Sequence, residues 1–266
     1  MNIAFIGAGN MGEAMLSAIL DKSLVPAESV TVSDINQSRR QHLKREFGVS
    51  VMNNVQMAST RGEIVVLAVK PQNLTEVMAE LGGRLKSTQL VLSIVAGTST
   101  GTLCAGLDHE RIVRVMPNTP ARIGEGVSVW TATEAVTEQQ KGWTGSILGA
   151  MGKEIYVDDE KYIDMATAVS GSGPAYFFLF VESLVAAARH IGLANDIAEE
   201  LVLQTMLGSG RFLQKSGKSP VELRRMVTSP GGTTAEALAV FQKGKFAELV
   251  NKAVTAAYNR AERLGR

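Results

Sequence analysis

The stretch "FIGAGNMGEAM", residues 5–15, decides the fold of the first half of this chain. Gly7, Gly9 and Gly12 form G-x-G-x-x-G directly after an apolar run and at the start of a helical segment. The first glycine permits a tight turn, the second lets a pyrophosphate approach the backbone, and the third lets helix and sheet pack closely. The helix N-terminus then offers free N–H groups to the phosphates. The pattern therefore predicts a dinucleotide-binding βαβ unit.

Short runs rich in Val and Ile alternate with helical segments over the first part of the chain. These runs are nearly continuous in apolar character, which is typical of strands buried on both faces. Strand alternating with helix predicts a doubly wound parallel sheet with right-handed crossovers. We place this Rossmann-type α/β domain at residues 1–160. The predicted strands are "NIAFI" from residue 2, "VTVS" from 30, "IVVLAV" from 64, "LVLSIV" from 90 and "RIVRVM" from 111, with "VSVW" from 127 and "EIYV" from 154 as extensions.

The β signal vanishes after Asp164, and residues 161–266 are predicted to form an all-helical domain. A helix is expected to start at Pro174, because proline suits the first helical turn, and to stop near Gly192. Further helices are expected from Asn195 as a cap, from Ser219, after "SPGGTT" at residues 229–234, and after Gly244. The first of these helices is apolar nearly all round, which indicates burial on every side. Either a partner subunit or an internal core position would satisfy it.

Composition limits the function classes. The chain has 27 basic and 26 acidic residues and a net charge of +1, which argues against a dedicated nucleic-acid or membrane-surface protein. No uninterrupted apolar run approaches the roughly 18 residues of a spanning helix. The N-terminus lacks the features of a leader, and Cys104 is the only cysteine, so a cytoplasmic location is expected. No metal-ligand spacing is present, so no metal is predicted.

The residues after the predicted strands indicate how a dinucleotide would be held. Asp34 ends the second strand, where its carboxylate would accept hydrogen bonds from the adenine ribose and favour NAD(H). Arg39 and Arg40 follow closely and could reach a 2′-phosphate instead, so the choice of cofactor stays open. "AVKPQN" from Ala68 and "VMPNTP" from Val115 end strands at the same sheet edge, which makes Lys70 and Asn118 candidates for cofactor contacts.

Five motifs together resemble one family. "GAGNMG", "AVKPQN", "VRVMPNTP", "SGSGPAY" and "TSPGGTTAEAL" occur in this order, and the likeness to pyrroline-5-carboxylate reductase covers essentially the whole chain. The resemblance implies an oxidoreductase that reduces 1-pyrroline-5-carboxylate to L-proline with NADPH or NADH, the last step of proline biosynthesis. It also implies a helical domain that swaps helices in a homodimer, with dimers that assemble into rings. Family members mostly use NADPH, which Asp34 puts in question.

The resemblance also implies site residues. The "SPGGTT" corner of a partner subunit would bind the substrate through Ser229, Gly232, Thr233 and Thr234, with the Thr234 hydroxyl at the ring nitrogen as the catalytic group. Asn54 would contact the adenosine ribose, with Asn53 as the alternative. The predicted cofactor-binding residues are Ile6, Gly7, Gly9, Asn10, Met11, Gly12, Asp34, Arg39, Asn54, Ala68, Val69, Lys70, Pro71 and Asn118. No histidine is needed, because a protonated imine is already electrophilic.

Two alternatives differ in testable ways. A β-hydroxyacid dehydrogenase would need a lysine and an asparagine on the helix after "SGSGP", where this chain has Phe177 and Val181. An apolar ring cannot protonate an alkoxide, so this alternative is disfavoured. A non-catalytic dinucleotide sensor would share the Rossmann half, but it would have no use for an anion-binding corner at "SPGGTT". Oxidation of NADH or NADPH on addition of the imine distinguishes enzyme from sensor.

Overall fold

The computed structural model describes residues 1–264. It divides into two compact units, of which the first comprises residues 1–172 with the described residues from 257 onward, and the second comprises residues 173–256. The first unit thus extends to Ser172, beyond the domain boundary predicted at residue 160.

The first unit is built on one sheet of eight strands. Its order is β3-β2-β1-β4-β5-β6-β7-β8, so the chain reverses its direction of winding between β1 and β4. Register pairs Ile3 with Val30 on one side of β1 and with Ile64 on the other. The strands are β1 Ile3–Ile6, β2 Val30–Ser33, β3 Ser50–Met52, β4 Ile64–Leu67, β5 Leu90–Ser93, β6 Ile112–Met116, β7 Gly126–Ala132 and β8 Gly152–Tyr156.

The sheet confirms the predicted doubly wound fold and adds two features. β3 has only three residues and none is fully buried, so it lacks the apolar run by which the other strands were recognised. β7 pairs with β6 in the antiparallel sense, and β8 pairs in parallel with β7. The connection from β6 to β7 holds only a short 3₁₀ segment, Thr119–Ile123, which is too short for a crossover between parallel strands.

Helices cover both faces of the sheet, and the strands β1, β2, β4 and β5 are fully buried, whereas β8 is largely exposed. Ile3 and Phe5 belong to one apolar cluster and Ile6 to another, so alternate residues of β1 serve opposite faces. These buried strands form the core of the first unit. Its helices are α1 Asn10–Asp21, α2 Gln37–Phe47, α3 Val55–Ser59, α4 Leu74–Leu81, α5 Thr100–Leu107, α6 Glu138–Ala150 and α7 Lys161–Ala166.

The second unit is all-helical, as predicted. Its helices are α8 Gly173–His190, α9 Asn195–Ser216, α10 Pro220–Met226, α11 Thr233–Lys243 and α12 Phe246–Leu264, whose last residues belong to the first unit. Ser219 caps α10 in a capping box with Glu222, which confirms the predicted start. Ala194 rather than Asn195 is the N-cap of α9, since the Asn195 amide donates to Glu199 instead.

Pro174 lies in the first turn of α8, as predicted, but α8 does not start from a loop. A π-helical segment, Thr167–Gly171, joins α7 to α8, and helical structure runs over 30 residues from Lys161 to His190. The Ser172 N–H donates to the Thr167 carbonyl at 2.8 Å, which is the five-residue step of a π-turn. This wider turn accommodates proline, which has no N–H to donate.

The apolar side chains of α8 are exposed in the single chain. Phe177, Phe178 and Leu179 have exposed fractions of 65%, 63% and 63%. An internal core position for α8, one of the two alternatives, is therefore excluded. The segment Lys161–His190 is also long and apolar enough to cross a membrane by length and composition alone, with a mean hydropathy of 1.3 over an 18-residue window. This differs from our expectation from uninterrupted apolar runs.

Candidate functional site

A cleft of about 400 Å³ opens at the carboxyl ends of β1, β2 and β4, where the winding of the sheet reverses. Ligands of doubly wound sheets bind at such a reversal point. Seven of the predicted cofactor-binding residues line it: Ile6, Gly7, Gly9, Asp34, Ala68, Val69 and Lys70.

The three glycines after β1 meet three different steric demands. Gly7 has φ of +80°, and a Cβ there would lie 2.7 Å from Val69 Cγ1. A Cβ on Gly12 would lie 3.1 Å from Ala68 Cβ, so α1 packs closely on the chain after β4. A Cβ on Gly9 would meet nothing within 4 Å and would point into open space. This is the arrangement expected if the open space at Gly9 receives a pyrophosphate.

The first turn of α1 is available to an anion. Gly9 is its N-cap and no side chain caps the helix, so no side-chain oxygen competes for the first N–H groups. Asn10, Met11 and Gly12 form this turn. The residues present thus fit the phosphates of a dinucleotide.

Asp34 is fixed at the mouth of the cleft by backbone donors. Its Oδ2 accepts the Ala8 N–H at 3.1 Å and its Oδ1 accepts the Asn36 N–H at 2.8 Å. Carboxylate oxygens have further lone pairs, so both can still accept from ribose hydroxyls. Ala8 and Asn36 also line the cleft, and sequence reasoning did not single them out.

Seven predicted cofactor-binding residues are not among the described residues that line this cleft: Asn10, Met11 and Gly12 of the first turn of α1, and Arg39, Asn54, Pro71 and Asn118. Asn54 caps α3, since its Oδ1 accepts the Met57 N–H at 2.7 Å. Asn118 Oδ1 accepts the Val127 N–H at 2.9 Å and so fixes the loop after β6 to β7. The predicted role of each residue in cofactor binding stays a prediction.

The predicted substrate corner lies in the second unit, before α11. Gly231 has φ of +68°, and a Cβ on Gly232 would lie 2.5 Å from Ser229 Oγ. Gly232 is the N-cap of α11 and no side chain caps it. Thr233 and Thr234 are the first residues of the helix, with Thr234 half-buried. The corner therefore combines uncapped N–H groups with hydroxyls, which suits a carboxylate.

Two of the histidines have evident structural partners. His109 is buried and its Nε2 lies 2.8 Å from the Gln89 carbonyl oxygen. His42 Nε2 lies 3.2 Å from Glu13 Oε1. None of the three histidines is among the described residues lining the cleft, and residues 1–264 hold no cluster of three or more metal-ligating side chains.

A buried ion-pair network supports the start of α7, and the sequence analysis missed it. Arg114 of β6 has a side chain only 4% exposed and binds Glu160 at 2.7 Å and Asp164 at 2.6 Å. Glu160 also accepts from the N–H and hydroxyl of Thr100, at the start of α5. Burial raises the pKa of Glu160, but hydrogen bonds from Thr100 and Arg114 outweigh it and hold that pKa below its usual value. An arginine inside an apolar strand run was the available signal.

The family models match both parts of the chain. The model "Pyrroline-5-carboxylate reductase dimerisation" matches residues 160–264, and "NADP oxidoreductase coenzyme F420-dependent" matches residues 2–97. A pyrroline-5-carboxylate reductase of Pseudomonas aeruginosa is 42% identical, over 99% of this chain and 98% of that protein. This chain belongs to the pyrroline-5-carboxylate reductase family.

Solved structures of pyrroline-5-carboxylate reductases agree with this assignment. The protein of Coxiella burnetii has a TM-score of 0.92 and 39% identity, and the match covers 100% of this chain and 98% of that one. The Plasmodium falciparum reductase with NADP bound has a TM-score of 0.91 and 31% identity, with the same two coverages. The predicted family, fold class and oxidoreductase class are confirmed, and the dimerisation model supports an oligomer.

Proposed function

We propose that this chain reduces 1-pyrroline-5-carboxylate to L-proline by hydride transfer from NAD(P)H, the last step of proline biosynthesis. The observation that carries the proposal is the cleft at the sheet reversal, with its open space at Gly9, in a chain that matches reductases of this name over its full length. When bound, the dinucleotide supplies the hydride from its nicotinamide ring.

The residues that line the cleft would hold the dinucleotide. The first turn of α1, Asn10–Gly12, would bind the pyrophosphate through its N–H groups, and Asp34 would accept from the adenine ribose. Ala68, Val69 and Lys70 would position the nicotinamide end, because they follow β4 at the same edge. Asn54, Pro71 and Asn118 are proposed as supporting contacts, and Arg39 as a cation that lies beside the Gly-rich turn.

The corner before α11 would bind the substrate carboxylate. Its uncapped N–H groups, with Ser229 and Thr233, offer donors to a small anion. We place this corner at the cleft of a second copy, so that a dimer completes each site. Holding the imine against the cofactor supplies several kcal/mol of barrier reduction through positioning alone.

The Thr234 hydroxyl is the proposed catalytic group. It would donate a hydrogen bond to the ring nitrogen and orient the imine, with solvent as the final proton source. A protonated imine is electrophilic without further help, so the described cleft does not need a histidine for this reaction.

The assembly is proposed to be a homodimer that can form a ring of dimers in the cytoplasm. Dimerisation through α8 would bury the apolar residues that are exposed in the single chain. It also accounts for the hydropathy of Lys161–His190 without a membrane, and the near-neutral charge gives no reason to invoke nucleic acid.

The decisive experiment follows absorbance at 340 nm on addition of 1-pyrroline-5-carboxylate to protein with NADH or NADPH, with L-proline identified as the product. Thr234→Val should lower kcat by about 100-fold, the scale of a lost positioned donor. Thr60→Val removes a hydroxyl that serves only the end of α3 and should leave kcat unchanged. No oxidation of either cofactor by folded protein would refute the proposal and favour the sensor.

A further inference from the structure

An acidic residue directly after the Gly-rich turn holds an arginine that lies next to the cleft. The Glu13 carboxylate pairs with the Arg39 guanidinium through Oε2 and with His42 through Oε1. The same arginine donates from Nε to the Ala8 carbonyl at 2.7 Å. The side chains of Glu13 and Arg39 are only 23% and 24% exposed. The guanidinium is therefore held beside the turn by Glu13 and the Ala8 carbonyl.

The neighbouring arginine is also occupied. Arg40 Nη1 donates to the carbonyl oxygens of Asp34 at 2.6 Å and of Ile35 at 3.0 Å. Neither Arg39 nor Arg40 is among the described residues that line the cleft, whereas Asp34 is. The two cations that could attract a 2′-phosphate are thus bound to the chain itself.

The charged side chains in the cleft disfavour a second phosphate near the ribose. Within residues 1–264 the cleft is lined by three carboxylates, Asp34, Glu76 and Glu80, and by one ammonium, Lys70. A 2′-phosphate adds further negative charge, and its recognition in this fold normally uses a nearby arginine. The cleft as it stands supplies none.

We infer that Glu13 is a specificity-determining residue, which disfavours NADPH relative to NADH by holding Arg39 away from the ribose end of the cleft. This inference rests on the part of the proposed function that places a nicotinamide dinucleotide in the cleft. Arg39 already contacts the carbonyl of Ala8, a cleft-lining residue, so a rotation of its side chain would bring the released guanidinium to the ribose. Glu13 acts through Arg39 and touches no reacting atom.

Dissociation constants for NADH and NADPH, measured by calorimetry on the intact assembly, test the inference without any substrate. Glu13→Gln should lower the NADPH constant relative to the NADH constant by about tenfold, because a charge-assisted hydrogen bond to phosphate is gained. The double variant Glu13→Gln with Arg39→Met should lose this gain. Glu46→Gln, an exposed site on α2, removes the same charge and should leave the ratio unchanged.

An unchanged ratio in Glu13→Gln, or an equal shift in Glu46→Gln, would overturn the inference. Glu13→Asp keeps the charge but shortens the carboxylate, and it should shift the ratio less and in the same direction if Glu13→Gln fails to fold. A shifted ratio in protein that never reduces the imine would support Glu13 as the determinant while refuting the proposed reaction. Turnover of the imine with no shift in the ratio would support the proposed reaction and refute the role of Glu13.

Discussion

The two units of this chain solve the burial of apolar residues in opposite ways. In the first unit, Phe5 and Ile64 are completely buried between the sheet and its own helices. In the second, the aromatic side chains of α8 remain exposed, and an apolar groove of about 540 Å³ runs between α8 and α12. A cluster of exposed phenylalanines is costly in water and typical of an interface. The core of the first unit is therefore buried within one chain, whereas the exposed apolar face of α8 in the second unit is typical of an interface.

A charged residue on α8 is the most direct test of this difference between the two units. Phe178→Asp should weaken dimerisation by about 100-fold or more, because a two-fold interface loses the apolar contact twice and buries a charge twice. Sedimentation equilibrium measures the effect. Met57→Asp, at an exposed apolar site of the first unit, is the matched control and should leave the assembly intact. A dimer that survives Phe178→Asp would mean that another surface holds the copies together.

The buried ion-pair network of Arg114 in the first unit gives the next largest expected effect. Arg114→Met should lower the free energy of unfolding by about 3 kcal/mol, since Glu160 and Asp164 lose the cation that compensates them. Urea denaturation measures this loss in the free energy of unfolding. The variant Arg114→Lys should recover part of the loss, because it restores the charge but not two divergent hydrogen bonds. Equal stability of Arg114→Met and wild type would show that the network contributes nothing.

The Gly-rich turn separates binding from stability. Gly9→Val should weaken NADH binding by about tenfold and leave the unfolding temperature nearly unchanged, because its side chain would enter the open space of the cleft. Gly7→Val should instead lower the unfolding temperature, since it combines a clash with a φ of +80°. Calorimetry and thermal unfolding on both variants measure the contrast. Tight NADH binding by Gly9→Val would place the pyrophosphate elsewhere.

The smallest expected effect is a pH dependence of stability, which can be compared between a carboxylate of each unit. The folded pKa of Glu160 lies below its ordinary value near 4.5, so its contribution to stability is present above that value and is lost as the pH falls through the folded pKa. Glu160→Gln should thus be less stable than wild type at pH 7, and the difference should shrink below about pH 4.5. Hydrogen bonds from Ser219 also lower the pKa of Glu222, but this cap is exposed. Glu222→Gln should show a weaker dependence in the same urea titrations.

Much of the first unit could be predicted because its signals are local. Buried parallel strands have apolar runs that do not depend on their neighbours, and a Gly-rich turn needs glycine where φ is positive, as at Gly7. β3 escaped prediction because it is a short edge strand without such a run. The antiparallel direction of β7 was not predicted, because strand direction depends on the connection and the partner strand rather than on composition.

The helical unit shows where local signals fail. Gly171, Gly173 and Pro174 are helix breakers by propensity, and they gave no sign of the π-helical segment Thr167–Gly171 that precedes α8. The network of Arg114 joins residues that are about 46 and 50 positions apart in sequence, so no spacing rule could pair them. Glu13 and Arg39 are likewise far apart in sequence, so their pairing could not be predicted from spacing either.

The sequence by itself determined the family, the two-part architecture and the position of the dinucleotide turn, because glycine requirements and strand hydrophobicity are properties of neighbouring residues. Only the tertiary structure decided which charges meet. It showed that Asp34 faces the cleft while Arg39 and Arg40 are held by the chain, and that the side chains of Phe177 and Phe178 in α8 are mostly exposed. Ion pairs and burial depend on how distant segments pack in space, which sequence neighbours do not specify.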